Sequence, residues 1–189
     1  MVFTKSRGLK MIRLVFAAVL MVGLTTSPDP LRLTKPAKAK HVEMIVEYAE
    51  KNNHDPYELL AIAITESSMK PKAVSRLGAI GLFQIMCKYW YEPLKYKTIK
   101  ECNKALFDPR TNMKAGILVL TTYRNKYKQC KGDLAYRCYF AGQNWQRHSK
   151  KVIRKVVKYE NKVKENRGVL HKYYKSLIEN IRANFRSRS

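Results

Sequence analysis

Residues 65–86 read TESSMKPKAVSRLGAIGLFQIM and follow directly on the apolar run LLAIAI. That run places one carboxylate, Glu66, at the end of a core-facing helix. A carboxyl group among apolar neighbours is harder to ionise, because burial disfavours its charged form. The negative end of the helix dipole acts in the same direction. A glutamic acid that keeps its proton near neutral pH can act as a general acid, and its conjugate base can later take a proton back. A Glu at a helix end is ordinarily a surface residue, so the weight falls on what surrounds it.

The elements that must position Glu66 are helical. Asp55-Pro56-Tyr57-Glu58 is a helix start: Asp can cap, Pro suits the first helical position, and Glu58 can close a capping box. Leu59, Ile62, Ala63 and Glu66 then fall on one stripe. Pro71 forbids a continued helix, and Gly78 and Gly81 permit tight backbone. GLFQIM is expected to begin another helix. Val42–Asn52, the segment from Asp108-Pro109 through Tyr123, and Leu134–Trp145 also carry apolar residues at helical spacing. No segment alternates with period two for long, so the chain reads as all-α.

Residues 28–40 hold three prolines and repeated lysines and read as a linker. Residues 149–189 read as a tail of basic amphipathic helices, broken at Arg167-Gly168. The stretch Arg147 to Arg188 carries fourteen Lys or Arg against three Glu. These helices either pack on the domain with a solvated basic face or bind an anionic envelope. The whole chain of 189 residues has 38 Lys plus Arg against 14 Asp plus Glu, a formal charge of +24. Such a chain is drawn to polyanions, whether nucleic acid, acidic lipid or wall polymer.

Lys5, Arg7, Lys10 and Arg13 precede the apolar stretch Leu14–Leu24. A basic flank and an apolar stretch of this length look like a secretory signal. No good cleavage site follows, so residues 1–27 are expected to be a signal peptide or a retained anchor. Cys87, Cys102, Cys130 and Cys138 suit disulfides in an exported protein. Order in the chain suggests Cys87–Cys102 and Cys130–Cys138, although three pairings are possible. No Cys-x-x-Cys or His-x-x-x-His spacing is present, so neither metal nor cofactor is expected. The four histidines, His41, His54, His148 and His171, read as surface residues.

Glu66-Ser67, then Ser75, then Gly78-Ala79-Ile80-Gly81-Leu82-Phe83-Gln84-Ile85-Met86 resembles the signature of the SLT-type lytic transglycosylases. Asp108-Pro109, Asn112 and Gly116 look like that family's second block. Cys138-Tyr139-Phe140-Ala141-Gly142 resembles its third, usually Ala-Tyr-Asn-Ala-Gly. The resemblance covers residues 41 to about 148 and implies a lysozyme-like helical domain. It implies that Glu66 is the single acid and base, protonating the bond between N-acetylmuramic acid and N-acetylglucosamine in peptidoglycan. Glu66 would then deprotonate the C6 hydroxyl that closes a 1,6-anhydro ring. Ordinary glycosidases use a carboxylate pair. No convincing second member is seen here, since Asp55 and Asp108 read as caps and Glu58 lies two turns before Glu66.

By the same resemblance Ser75 would meet the N-acetyl or lactyl group, and Gln84 would offer an amide to the glycan. Phe83 and Met86 would form an apolar wall that keeps Glu66 protonated. Tyr139 would lie near Glu66 and orient it or the sugar. Phe140 stands where the family usually has Asn, and Cys138 where it has Ala. Gln143, Asn144 and Trp145 could offer replacement amides and an aromatic platform, with core the equal alternative for Trp145. The implied partner is the peptidoglycan glycan strand, with an anionic envelope surface besides; no nucleic acid is expected, and a monomer is. The implied settings are local wall opening and phage-type lysis. Two other readings stand beside this one: a goose-type lysozyme-like hydrolase, and a basic module that binds envelope without cleaving it.

Overall fold

The structure, a computed structural model, describes residues 28–188. The expected signal or anchor segment, 1–27, lies outside the described residues. Among the described residues eight α-helices form and no strand: α1 Pro36–Lys51, α2 Pro56–Ser67, α3 Cys87–Trp90, α4 Ile99–Ala105, α5 Pro109–Lys126, α6 Leu134–Ala141, α7 Lys150–Tyr173 and α8 Lys175–Arg186. Two short 3-10 turns, Lys128–Cys130 and Trp145–Arg147, flank α6. The all-α reading holds.

α2 is the buried centre. Leu59, Leu60, Ala61, Ile62 and Ala63 are all enclosed, so this helix is apolar all round. The Asp55 carboxylate accepts the Tyr57 N–H at 2.9 Å and caps its start. Glu58 does not close the expected capping box. Its carboxylate turns inward and accepts two bonds from Arg124 on α5, at 2.7 and 3.1 Å, and one from the Tyr136 hydroxyl on α6 at 2.6 Å. That network joins three helices at the start of α2, the end opposite Glu66. α2 ends because Ser68 and Met69 take left-handed backbone, φ +53° and +65°, which allows their N–H groups to close on the Ile64 and Ala63 carbonyls.

α5 starts on Asp108, whose carboxylate accepts the Thr111 N–H at 2.7 Å. Gly116 is required there by close approach. A Cβ at that position would lie 2.5 Å from the Phe83 ring. The disulfides are Cys87–Cys102, with Cα atoms 5.9 Å apart, and Cys130–Cys138, at 5.8 Å. The first ties α3 to α4, and the second ties the turn after α5 to α6.

The structure differs from two readings of the chain's organisation. Residues 28–40 are not a free linker. Pro36 opens α1, and the Ala and Lys that follow are good helix formers. Before it, the Asp29 carboxylate gathers the Leu33 N–H at 2.8 Å and also takes the Tyr174 hydroxyl, which pins this turn to the junction of α7 and α8. Second, no break occurs at Arg167-Gly168. α7 runs through Gly168, because Val156, Tyr159, Val163, Asn166 and Leu170 form one buried stripe that outweighs a single glycine. The basic helices are part of the packed body, the first of the two alternatives raised for them. α7 lies along α2 and α6, and α8 lies along α1, where Arg182 pairs with Glu50 at 2.6 Å. His41 is likewise not at the surface; it is 4% exposed, on the buried face of α1.

Candidate active site

Glu66 sits on the last turn of α2, half-buried, so that its carboxyl is closely surrounded but not sealed from solvent. Burial pushes its pKa up from the usual 4.5 to about 7, and a hydrogen bond from Tyr159 partly opposes the rise. The Tyr159 hydroxyl donates to Glu66 Oε1 at 2.6 Å. The Tyr159 hydroxyl is itself held protonated, its pKa pushed well above 10 by burial and by the nearby Glu66. A donor aimed at a carboxyl oxygen favours the anion, so the site holds the neutral acid by burial while keeping a support ready for the charge it would form.

The other acidic side chains around the site are committed. Burial raises the Glu58 pKa, but its hydrogen bonds from Arg124 and Tyr136 outweigh that and hold it below the usual range. Glu160, beside Tyr159 on α7, is buried against Arg137 and Lys164, and these partners overcome the upward push of burial to lower its pKa. Asp55 and Asp108 cap α2 and α5. No ion pair among the described residues involves Glu66. Nor does any group of three or more His, Cys, Asp or Glu converge among them on a point that could hold a metal.

The loop after α2 is built by its own polar groups. The Ser67 hydroxyl, buried, bridges the Ala63 and Leu82 carbonyls at 3.1 and 2.9 Å. It therefore fastens the helix end that carries Glu66 to the turn that carries Gln84. Gly81, at φ +79°, and Gln84, at φ +48°, bend that turn, and Ile80 and Ile85 close it with two 3.0 Å backbone bonds. The expected helix at GLFQIM is absent for this reason; only Cys87–Trp90 is helical. Asn112 of α5 clamps the turn from behind. Its Oδ1 accepts the Phe83 N–H at 2.8 Å, and its Nδ2 donates to the Ile80 carbonyl at 2.8 Å and the Leu106 carbonyl at 3.1 Å.

The other expected site residues make the following contacts. The Ser75 hydroxyl accepts the Ala79 N–H at 3.0 Å and shapes the loop. Gln84 spends its Nε2 on the Ala73 and Gly81 carbonyls, at 3.2 and 2.9 Å. Phe83 is 1% exposed and packs on Gly116; it is core, not a cleft wall, because the Asn112 clamp turns its ring toward α5. Met86 is half-buried at the start of α3. Tyr139 lies near enough to Glu66 for the carboxylate to raise its pKa, after the larger effect of burial. Its hydroxyl, however, donates to the Phe83 carbonyl at 2.7 Å. Trp145 packs in a small cluster with Cys130, Cys138 and Val156, under the Arg137 guanidinium at 4.7 Å, so it is core and no platform.

Tyr159 was missed. It lies 93 positions beyond Glu66, in the stretch read as a tail. The available signal was its place on the Val156–Tyr159–Val163 stripe, with helical spacing of three and four. Tyr159→Phe should lower the rate of whatever Glu66 catalyses about tenfold, since the anion loses a charge-assisted hydrogen bond. The alkaline limb of the pH–rate profile should move to higher pH, because the bond that lowers the Glu66 pKa is gone. An unchanged profile would mean that the bond is only structural.

A cavity of about 550 Å³ lies elsewhere, between the end of α1, residues 93–96 and α5. Glu66, Ser75, Phe83, Gln84, Met86, Tyr139 and Tyr159 do not line it.

The chain matches the family model described as Transglycosylase SLT domain over residues 43–162. The match thus runs into α7 and takes in Tyr159. The chain is 35% identical over 91 residues to the membrane-bound lytic murein transglycosylase C of Edwardsiella ictaluri, covering 47% of this chain and 25% of the relative. It is 32% identical over 127 residues to the proteins of the same name from Yersinia pestis and Yersinia pseudotuberculosis, covering 66% of this chain and 33% of each relative. The chain therefore spans a quarter to a third of the length of these curated relatives.

Proposed function

The chain belongs to the transglycosylase SLT domain family, and from that premise we propose that it is a lytic transglycosylase cleaving the glycan strands of peptidoglycan. The observation that carries the reading is Glu66, a carboxyl held neutral up to a pH of about 7 by burial, with a hydroxyl donor and, among the described residues, no ion-pair partner. A neutral acid of this kind can protonate the oxygen between N-acetylmuramic acid and N-acetylglucosamine as that bond breaks. The muramic residue's own N-acetyl oxygen shields the positive charge that develops at its anomeric carbon, which does the work of the absent second carboxylate. Glu66, now an anion steadied by Tyr159, takes the proton of the C6 hydroxyl as that oxygen attacks the anomeric carbon. The products are a 1,6-anhydromuramic end and a free N-acetylglucosamine 4-hydroxyl. Glu66 ends protonated, and no water is consumed.

The relatives' printed name, membrane-bound, supports a place at the cell envelope. Among the described residues no helix is long and apolar enough to cross a membrane. Export or anchoring is assigned to residues 1–27. The net charge of +24 favours a wall rich in carboxylates and phosphates, and the role we assign is local opening of that wall, as in phage-type lysis.

Mass spectrometry of wall digested by the purified protein tests the reaction. Anhydromuramic ends, without incorporation of labelled oxygen from water, are expected. Reducing muramic ends would make the protein a hydrolase. Intact wall at every pH between 5 and 8 would overturn the activity altogether.

A further inference from the structure

The position where this chain departs most plainly from the Ala-Tyr-Asn-Ala-Gly pattern is Phe140, the penultimate residue of α6. A phenyl ring on a helix of this protein has a large buried core available to it, yet Phe140 is 46% exposed. It is held in one place all the same. Its ring stacks on Tyr159, with centroids 4.9 Å apart and planes 26° from parallel. The far end of that same Tyr159 ring bonds Glu66 at 2.6 Å. One face of Phe140 is therefore covered by the ring that touches the acid, and nearly half of the residue remains open to solvent.

A flat apolar surface fixed beside a glycan-cleaving acid has an obvious complement. A β-linked gluco-configured pyranose gathers the axial hydrogens of C1, C3 and C5 on one face, and these C–H groups bear partial positive charge. An aromatic ring presents a negative face. The two stack with little entropic cost when the ring is already immobilised, as Tyr159 immobilises this one. We propose that Phe140 is a sugar-stacking residue, an apolar platform that receives a pyranose ring of the glycan strand next to the bond cleaved at Glu66. The assignment rests on the peptidoglycan reading of Glu66 and deepens it, since it makes recognition at this position depend on the ring's apolar face and not on a side-chain hydrogen bond.

The test uses the full chain and soluble, uncross-linked glycan strands of the wall. Four variants are compared: Phe140→Ala, Phe140→Leu, Phe140→Asn and Phe140→Trp. Loss of one stacked ring should raise KM about tenfold in the Ala, Leu and Asn variants. In these kcat should stay within about twofold, because the contact is made equally in ground and transition states. Phe140→Trp should restore most of the affinity. Leu matters most, since it still covers Tyr159 but offers no flat face. The same order should appear in direct binding of the strands to variants that also carry Glu66→Gln.

If KM is unchanged while kcat falls and the alkaline limb of the pH profile moves, Phe140 acts only by covering Tyr159, and the platform is overturned. If all four variants match the parent protein, it is overturned equally. A parent protein that neither binds nor cleaves the strands overturns the function itself, which is a separate result from a cleaving parent with indifferent Phe140 variants.

Discussion

Glu66→Gln should abolish wall cleavage, lowering the rate about 10³-fold or more, because one side chain serves as both acid and base and the amide can do neither. Binding of glycan should survive, since the amide has nearly the shape of the acid and its oxygen can still accept from Tyr159. The same substitution should stabilise the protein above neutral pH. The folded state holds the Glu66 proton to a pH of about 7, against 4.5 for an ordinary Glu. Between those values the folded chain binds more protons at this site than the unfolded chain, so stability falls as pH rises through the window and is level above it. Allowing for solvent at its accessible edge, the charged carboxylate costs about 2 kcal/mol at pH 8. Glu66→Gln removes that cost at pH 8 and changes little at pH 4. Thermal denaturation of both proteins at the two pH values reads the difference. Retained wall cleavage would make Glu66 an ordinary helix-end residue.

The second large effect is expected at Asn112, far from any reacting atom. Its side chain is wholly buried and bonds three backbone groups, the Phe83 N–H and the carbonyls of Ile80 and Leu106. Asn112→Ala leaves the Phe83 N–H and the Leu106 carbonyl unpaired in the interior, leaves the Ile80 carbonyl with only its bond from the Ile85 N–H, and opens a hole beside them. Each buried unpaired group costs roughly 1–3 kcal/mol, so a total loss of about 4 kcal/mol is expected, with a fall in Tm on the order of 10 °C. Asn112→Asp should do no better, because the carboxylate loses both donated bonds and adds a buried charge. Activity should fall more than folding at assay temperature explains, since the turn that carries Gln84 is no longer fixed to α5. Calorimetry together with kcat/KM at a temperature where both variants remain folded separates these effects. A loss below about 1 kcal/mol would show that water replaces the clamp.

The sequence was most readable where chemistry is local. Glu66 at the end of an apolar helix, the Asp-Pro starts of α2 and α5, and the pairing of cysteines close in the chain all depend on residues within a few turns of one another. It misled where a tertiary contact outranked a local signal. Glu58 had the spacing of a capping box, but a half-buried Arg124 and a buried Tyr136 offered its carboxylate better partners. GLFQIM had the look of a helix start, yet Ser67 and Asn112 bind its backbone into a turn. Gly168 looked like a break, and the buried stripe of α7 carried the helix through it. Phe83 fitted an apolar wall by type, and only its place against Gly116 shows that it faces inward. Tyr159 was hidden most deeply. Nothing near it in the chain marks a functional residue, and a surplus of lysines around it suggests a solvated tail.

The central claim is that Glu66 is a neutral acid at working pH. The direct measurement is the titration of its side-chain carboxyl by carbon NMR on glutamate-labelled protein, with the signal assigned by its loss in Glu66→Gln. A midpoint of about 7 is predicted. A midpoint near 4.5, the value of an exposed glutamate, would contradict the account.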